Sequence, residues 1–350
     1  MFKREFTDNF SRLGKALSEW LEGSTSEPFL DRAIALSLRD NPFFTVYMQR
    51  YAIATVARTF LVKEELERWL GNYVVTGSRA ERQGAAIIGI IMAGNIPLVG
   101  FHDFLCVLAS GNRAVVKLSS KDKYLLPAVW EILCRINPAW RGQVLFTGDM
   151  EAYVQQYPDK LSALIATGSD TTREAVAGKF TGLPLLLRGR RFSFAVLSGK
   201  EKARELQALA KDIFLYYGLG CRNVNYIWVP RGYDPGYLIE KFSGMRTLLA
   251  LGCYMNIYKR QRAVFTMEGE AFTDGGFFLL KETDDVYPPV SVIGYAEYDS
   301  ESEILAFEEA NKAHIQKKYR TFGLAQAPQI DEYADGVDVM EFLFRHSAHE

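Results

Sequence analysis

The sequence predicts an α/β protein with two parallel-sheet α/β domains and a helical N-terminal region. Three observations predict it. From residue 84 onward, short apolar runs alternate with amphipathic stretches of about 10 to 15 residues, the grammar of a parallel sheet with crossover helices. The first of these runs, AAIIGIIMA, is rich in Ile without polar alternation, which suits a strand buried on both faces. The first 80 residues lack such runs and carry apolar side chains at helical spacing.

Taken in order, RLGKALSEWLEG (residues 12–23) is an amphipathic helix, and helical spacing continues from Glu27 to Leu70. Ser26 and Asp40 are candidate caps, and Gly71-Asn72 is a candidate stop. AAIIGIIMA (85–93) reads as a buried strand, and NIPLVGFHDFLCVLASGN (95–112) as a turn and a helix. RAVVKL is the next strand, and KYLLPAVWEILCRI the next helix. The strand QVLFT, a helix across Glu151 to Gln156 and the strand LSALIAT follow. The basic stretch LRGRRF, Leu187 to Phe192, is the candidate domain crossing. Beyond it SFAVLSG, NYIWVP, FFLLKE and PPVSVIGYAEY read as strands; KARELQALAKDIFLYYG and DPGYLIEKFSGMRTLLAL read as helices.

A chain of 350 residues, 48% apolar and 24% charged, is long enough for about two domains and a core needing neither disulfides nor a structural metal. Its 41 basic and 42 acidic residues leave a formal charge of −1, which gives no reason to expect nucleic acid as a partner. Cys106, Cys134, Cys221 and Cys253 form no CxxC pair, and the four histidines have no HExxH spacing, so no metal site is expected. The N-terminus lacks a signal-peptide core, and the most apolar stretch, Ala85 to Val99, is too short and interrupted for a membrane span. A cytoplasmic, reducing setting is the expectation.

Several residues are candidates for chemistry. Cys221, in YYGLGCRNVNY, follows a helix and two glycines that let a reactive atom approach a ligand, and Arg222 beside it can lower a thiol pKa. The other reading is an incidental cysteine. Asn95, on the turn after a buried strand, can donate to a developing oxyanion or simply form an Asx turn. Lys117, ending a strand, suits a ribose or phosphate, or is solvated. Gly168-Ser169, between strand and helix, suits a pyrophosphate, or Ser169 is a plain cap. Cys106 and Cys134 read as core, Cys253 as part of a helix-to-strand connection, and His102 and Asp103 as surface or turn residues.

The order of these pieces is more specific than any one of them. The segments GNIPLVGFHDFLCVLASGNRAVVKLSS, IATGSDTTREA and YYGLGCRNV resemble the LuxC-type long-chain acyl-CoA reductases, within the aldehyde dehydrogenase superfamily, over roughly residues 84 to 325. The resemblance implies an aldehyde-dehydrogenase-like fold. It also implies a cofactor-binding Rossmann-like domain over 81–190 and a catalytic domain over 191–350, after the helical region 1–80.

By the same resemblance Cys221 stands at the nucleophile and Asn95 at the side-chain oxyanion donor, with the Cys221 amide as its partner. Lys117 stands at the lysine bonding the cofactor ribose, and Gly168 and Ser169 beside the pyrophosphate. In DVYPPV, Asp285 would hold the nicotinamide ribose and Tyr287 would pack near the nicotinamide. Two departures are informative. Leu187-Arg188-Gly189-Arg190 replaces the Glu-Leu-Gly-Gly segment whose glutamate activates water, which favours aldehyde over acid as product. Ser120 stands where NAD-preferring members often carry Glu, which favours NADPH, with NADH as the other possibility. Arg188, Arg190 and Arg191 are read as a solvated basic linker rather than phosphate ligands. The implied function is NAD(P)H-dependent reduction of a long-chain acyl thioester, from acyl-CoA or acyl carrier protein, to the aldehyde through a cysteine thioester. An acyl-transferring partner subunit and a homo-oligomer also come with the resemblance. The alternatives are an aldehyde dehydrogenase forming acid and a non-catalytic acyl-binding subunit.

Overall fold

A computed structural model of the chain describes residues 2–73, 85–158 and 160–347. The expected boundary at 80/81 lies outside the described residues. The chain divides into two compact units, Met1–Gly189 with Gln329–Glu350, and Arg190–Pro328.

In the first unit, α1 (Phe2–Leu21) turns Phe6, Phe10, Leu13 and Leu17 to one buried face, the spacing of an amphipathic helix. α2 (Pro28–Asp40) begins with a proline that helix starts tolerate. α3 (Val46–Thr55) is capped by Thr45, whose hydroxyl accepts the Met48 N–H at 3.3 Å. These starts replace the expected caps: Ser26 precedes the helix, and Asp40 is the last residue of α2. The backbone widens into a π-helix over Val56–Phe60, and α4 (Lys63–Gly71) stops at Gly71-Asn72.

Five parallel strands follow with their crossover helices. They are β1 (Ile87–Ile91), α5 (Phe101–Ala109), β2 (Arg113–Lys117), α6 (Leu125–Ile136), β3 (Val144–Thr147), α7 (Met150–Gln156), β4 (Leu161–Thr167), α8 (Asp170–Lys179) and β5 (Leu185–Arg188). The sheet order is β3-β2-β1-β4-β5. The isoleucines of β1 serve both faces. Ile88 and Ile90 join the core under α1 and α5, while Ile91 joins Val115 and Leu164 on the other side. The strand β5 has no counterpart in the sequence reading.

The second unit contains β6 (Phe192–Val196), α9 (Ala203–Phe214), β7 (Val224–Pro230), α10 (Pro235–Phe242), α11 (Arg246–Leu249), α12 (Gly252–Glu268), β8 (Thr273–Asp274), β9 (Leu279–Glu282), β10 (Val292–Tyr298), α13 (Glu301–Asn311) and β11 (Ile315–Tyr319). Its sheet order is β11-β6-β7-β10-β9-β8, parallel except for the β8–β9 pair at the edge. Cys253 lies in the first turn of α12, not in the connection expected for it.

The stretch from Gln329 on belongs to the first unit, which corrects a second domain running to residue 350. The physical reason is α14 (Val339–His346), whose Val339, Met340 and Leu343 form one apolar face and are fully buried in the first unit's core. Polar ties reinforce it: Trp69 Nε1 donates to Tyr333 Oη at 2.7 Å and Tyr73 Oη to Asp338 Oδ2 at 2.6 Å. No helix among the described residues is long and apolar enough to cross a membrane.

Candidate active site

In the first unit the strand order reverses between β1 and β4, and the crevice beyond the carboxyl ends of strands at such a point is where α/β sheets take ligands. The register puts Ile91 level with Lys117 of β2 on one side and Ala166 of β4 on the other. The loops leaving β1, β2 and β4 therefore carry Asn95, Ser120 and Gly168-Ser169 to one sheet edge. Lys117 is half-buried, and Ser120 and Ser169 are exposed. Ser169 caps α8, its hydroxyl accepting the Thr172 N–H at 3.2 Å. A Cβ on Gly168 would lie 2.8 Å from Thr172 Cγ2, so only glycine lets the helix start this close to the strand. This edge offers a lysine, two hydroxyls and a helix N-terminus, a donor set that fits a dinucleotide. Asp170 brings an exposed carboxylate to the same turn, with Arg173 at 4.0 Å.

The turn bearing Asn95 is built tightly. A Cβ on Gly94 would lie 2.4 Å from Ser119 Oγ and 2.5 Å from Ser119 Cβ, so a glycine is required where this turn meets the β2–α6 loop. Leu98 is buried and left-handed, with φ 56°. Its N–H donates to Asp122 Oδ2 at 2.7 Å. Asp122 is itself buried, and its other carboxylate oxygen has no hydrogen-bond partner among the described residues. Burial pushes this carboxyl up to about 7, with the Leu98 N–H opposing. Asn95 itself is exposed. Sequence reasoning missed Asp122 because Lys121-Asp122-Lys123 reads as a solvated turn.

The basic stretch is only in part the solvated linker expected of it. Arg188 is buried and ion-paired with Asp103, itself buried on α5. Arg190 is exposed, and Arg191 donates to the Ile315 carbonyl at 2.9 Å. His102 and Asp103 are likewise not surface residues. His102 Nε2 lies 2.6 Å from the Ile330 carbonyl, with the Phe60 and Tyr333 rings 5.2 and 5.4 Å away. Cys106 is buried in the core of α5, and burial pushes its thiol up.

In the second unit Cys221 is exposed on the turn between α9 and β7. Three successive left-handed residues precede it: Tyr216 (φ 53°), Tyr217 (φ 59°) and Gly218 (φ 72°). A non-glycine residue in this region costs about 1 kcal/mol or more. Burial of both tyrosine rings offsets that cost, with Tyr217 packed 5.7 Å from Tyr254. Buried Asn223 staples the turn. Its amide donates to the carbonyls of Asp212, Ile213 and Leu215 at 3.0, 3.0 and 2.8 Å. Its Oδ1 accepts the Gly220 N–H at 2.8 Å. Ser193 Oγ on β6 donates to the Cys221 carbonyl at 2.8 Å.

Just downstream, Asn225 Nδ2 donates to the Val286 carbonyl at 3.2 Å, which ties the Asp285–Tyr287 segment to the start of β7. Asp285 Oδ1 accepts the Tyr287 N–H at 2.8 Å. The Tyr287 ring lies 5.5 Å from Phe192, with the Arg190 guanidinium 4.3 Å above it. Cys221, Asp285 and Tyr287 are thus carried by the second unit. Asn95, Lys117, Ser120, Gly168 and Ser169 are carried by the first.

A family described as acyl-CoA reductase (LuxC) matches residues 44–235. Among solved structures the chain is similar to aldehyde dehydrogenase 21 from Physcomitrella patens in complex with succinate. The TM-score is 0.69 at 14% identity, covering 99% of this chain and 84% of that one. It is similar to an acetylating aldehyde dehydrogenase from Geobacillus thermoglucosidasius, with TM-score 0.65, 11% identity, and coverage of 98% and 90%. It is similar to a Mycobacterium tuberculosis aldehyde dehydrogenase complexed with NAD+, with TM-score 0.61, 14% identity, and coverage of 87% and 70%. No curated protein matches. At such identities these likenesses establish the fold, which is that of the aldehyde dehydrogenases.

Proposed function

Because the chain belongs to the LuxC family of acyl-CoA reductases, we propose that it reduces a long-chain acyl thioester to the aldehyde through a thioester on Cys221. The observation that carries this reading is the exposed Cys221 on a turn held by Asn223 and Ser193. The Cys221 thiolate attacks the carbonyl carbon of acyl-CoA or of an acyl carrier protein. Negative charge collects on the carbonyl oxygen, where the Asn95 amide and the Cys221 N–H donate to it. The tetrahedral species collapses, the donor thiolate leaves and the acyl group stays on Cys221. When bound, a nicotinamide cofactor supplies the hydride that reduces this thioester. Lys117 would bond its ribose, Gly168 and Ser169 its pyrophosphate, and Asp285 and Tyr287 the nicotinamide end. Neutral Ser120 leaves room for a 2′-phosphate and supports NADPH. Loss of the aldehyde from the sulfur restores the Cys221 thiolate. By the resemblance, Leu187 falls at the position of the water-activating base, and its apolar, half-buried side chain supports aldehyde as the product.

The test is intact-mass spectrometry after mixing the protein with a long-chain acyl-CoA, with and without NADPH. The expected result is an acyl adduct that maps to Cys221, is absent from a folded Cys221→Ala protein, and is lost on adding NADPH as aldehyde forms. An adduct of equal yield on Cys221→Ala overturns the nucleophile. A carboxylic acid as the product overturns the reductase reading in favour of hydrolysis.

A further inference from the structure

The turn that presents Asn95 is held by a residue with no place in the chemistry above. Two features pin this turn to the β2–α6 loop. One is the Gly94 backbone, which sits so close to Ser119 that a Cβ would overlap it. The other is the hydrogen bond from the Leu98 N–H to Asp122 Oδ2 at 2.7 Å. Leu98 lies in the left-handed region, where a bulky side chain persists only if its surroundings over-determine it. Asp122 is placed for this by its own loop, its N–H donating to the Ser119 carbonyl at 3.1 Å. Asn95 lies between Gly94 and Leu98, so the two contacts bracket it. The same loop carries Ser120 and follows Lys117.

We infer that Asp122 is a positioning residue for the acylation step, holding the Gly94–Leu98 turn so that the Asn95 amide meets the developing oxyanion. The inference rests on the reading of Asn95 as oxyanion donor. Without the Asp122 acceptor, the buried Leu98 N–H is orphaned and the strained turn relaxes. A shift of about 1 Å in a catalytic donor can cost roughly 10²-fold in rate.

The experiment measures the single-turnover rate of Cys221 acylation at saturating palmitoyl-CoA, together with thermal unfolding, in five proteins. They are the wild type, Asn95→Ala, Asp122→Ala, the double variant and Asp122→Asn. Asn95→Ala is expected to slow acylation by roughly 10² to 10³-fold. Asp122→Ala is expected to slow it by roughly 10 to 10²-fold without weakening palmitoyl-CoA binding. The double variant is expected to be no slower than Asn95→Ala, because the two residues act through one contact. Asp122→Asn keeps an acceptor for Leu98 and is expected to stay within about threefold of wild type. If Asp122→Ala does not fold, Asp122→Ser carries the same test by moving the acceptor out of reach. A folded Asp122→Ala or Asp122→Ser protein that acylates at the wild-type rate overturns the inference while leaving the Asn95 reading intact. So does a double variant whose losses multiply. An Asn95→Ala protein that acylates at the wild-type rate overturns the Asn95 reading, and the inference with it.

Discussion

Asp122 is a carboxyl group buried between two exposed lysines, and its environment sets its titration as well as its geometry. Its value in the fold, about 7, is above the ordinary 3.8. The native state therefore holds a proton that the unfolded state has released between those pH values. The stability tied to this group is present below about pH 4 and is lost as pH rises through about 7, by up to about 1.4 kcal/mol per unit. Asp122→Asn has no such proton to lose. Its unfolding midpoint relative to wild type is expected to climb from pH 4 to pH 8 and then level off, as measured by denaturant melts across that range. A flat difference would mean that Asp122 stays ionised throughout. This residue was not legible in the sequence, because burial is decided by which loop folds over it, and its neighbours are charged. Cys221, Asn95 and Lys117 stood out because glycines, a proline and strand ends surround them. The chain pattern cannot say that Arg188 turns inward to Asp103.

At the scale of elements, the turn before Cys221 shows where local sequence stops being informative. Two glycines mark it as a turn, but nothing in the pattern forces Tyr216 and Tyr217 into left-handed backbone. Packing of their rings and the Asn223 staple decide that. Removing the staple with Asn223→Ala frees three carbonyls and the Gly220 N–H at once. The expected cost is about 2–4 kcal/mol in urea unfolding, with slowed acylation of Cys221 in the protein that remains folded. A loss below about 0.5 kcal/mol would show that the tyrosines hold the turn without it. The strands β1 to β4 of the first sheet were readable from short apolar runs, whereas β5, four residues beside the basic stretch, was not. Nor were the helices α12 and α14. The first mixes polar and aromatic residues with no clear stripe, and the second is only eight residues long.

At the scale of the whole molecule, alternating strands and helices made two α/β units legible, but not that the first is discontinuous. The second unit is one uninterrupted piece, Arg190–Pro328, while the first needs both Met1–Gly189 and the stretch from Gln329 on. Deleting residues 329–350 would expose the pocket filled by Val339, Met340 and Leu343 and orphan the Trp69 N–H. At about 1.5–3 kcal/mol for each buried apolar side chain, the loss is comparable to the whole stability of a domain. The truncated protein is expected to be largely insoluble, and the piece 329–350 supplied in trans should restore soluble yield. Unchanged yield and melting temperature on truncation would show that the helix is dispensable. The same discontinuity bears on synthesis. On the ribosome, the chain from residue 190 to 328 must be made before the helix that completes the first core appears. At about 5–20 residues per second that is a wait of roughly 7 to 28 seconds. During it the nascent first unit displays an uncovered apolar groove, while the later-made unit can already close. Here the order of folding runs against the order of translation, and the exposed interval is one in which a chaperone would find its binding site.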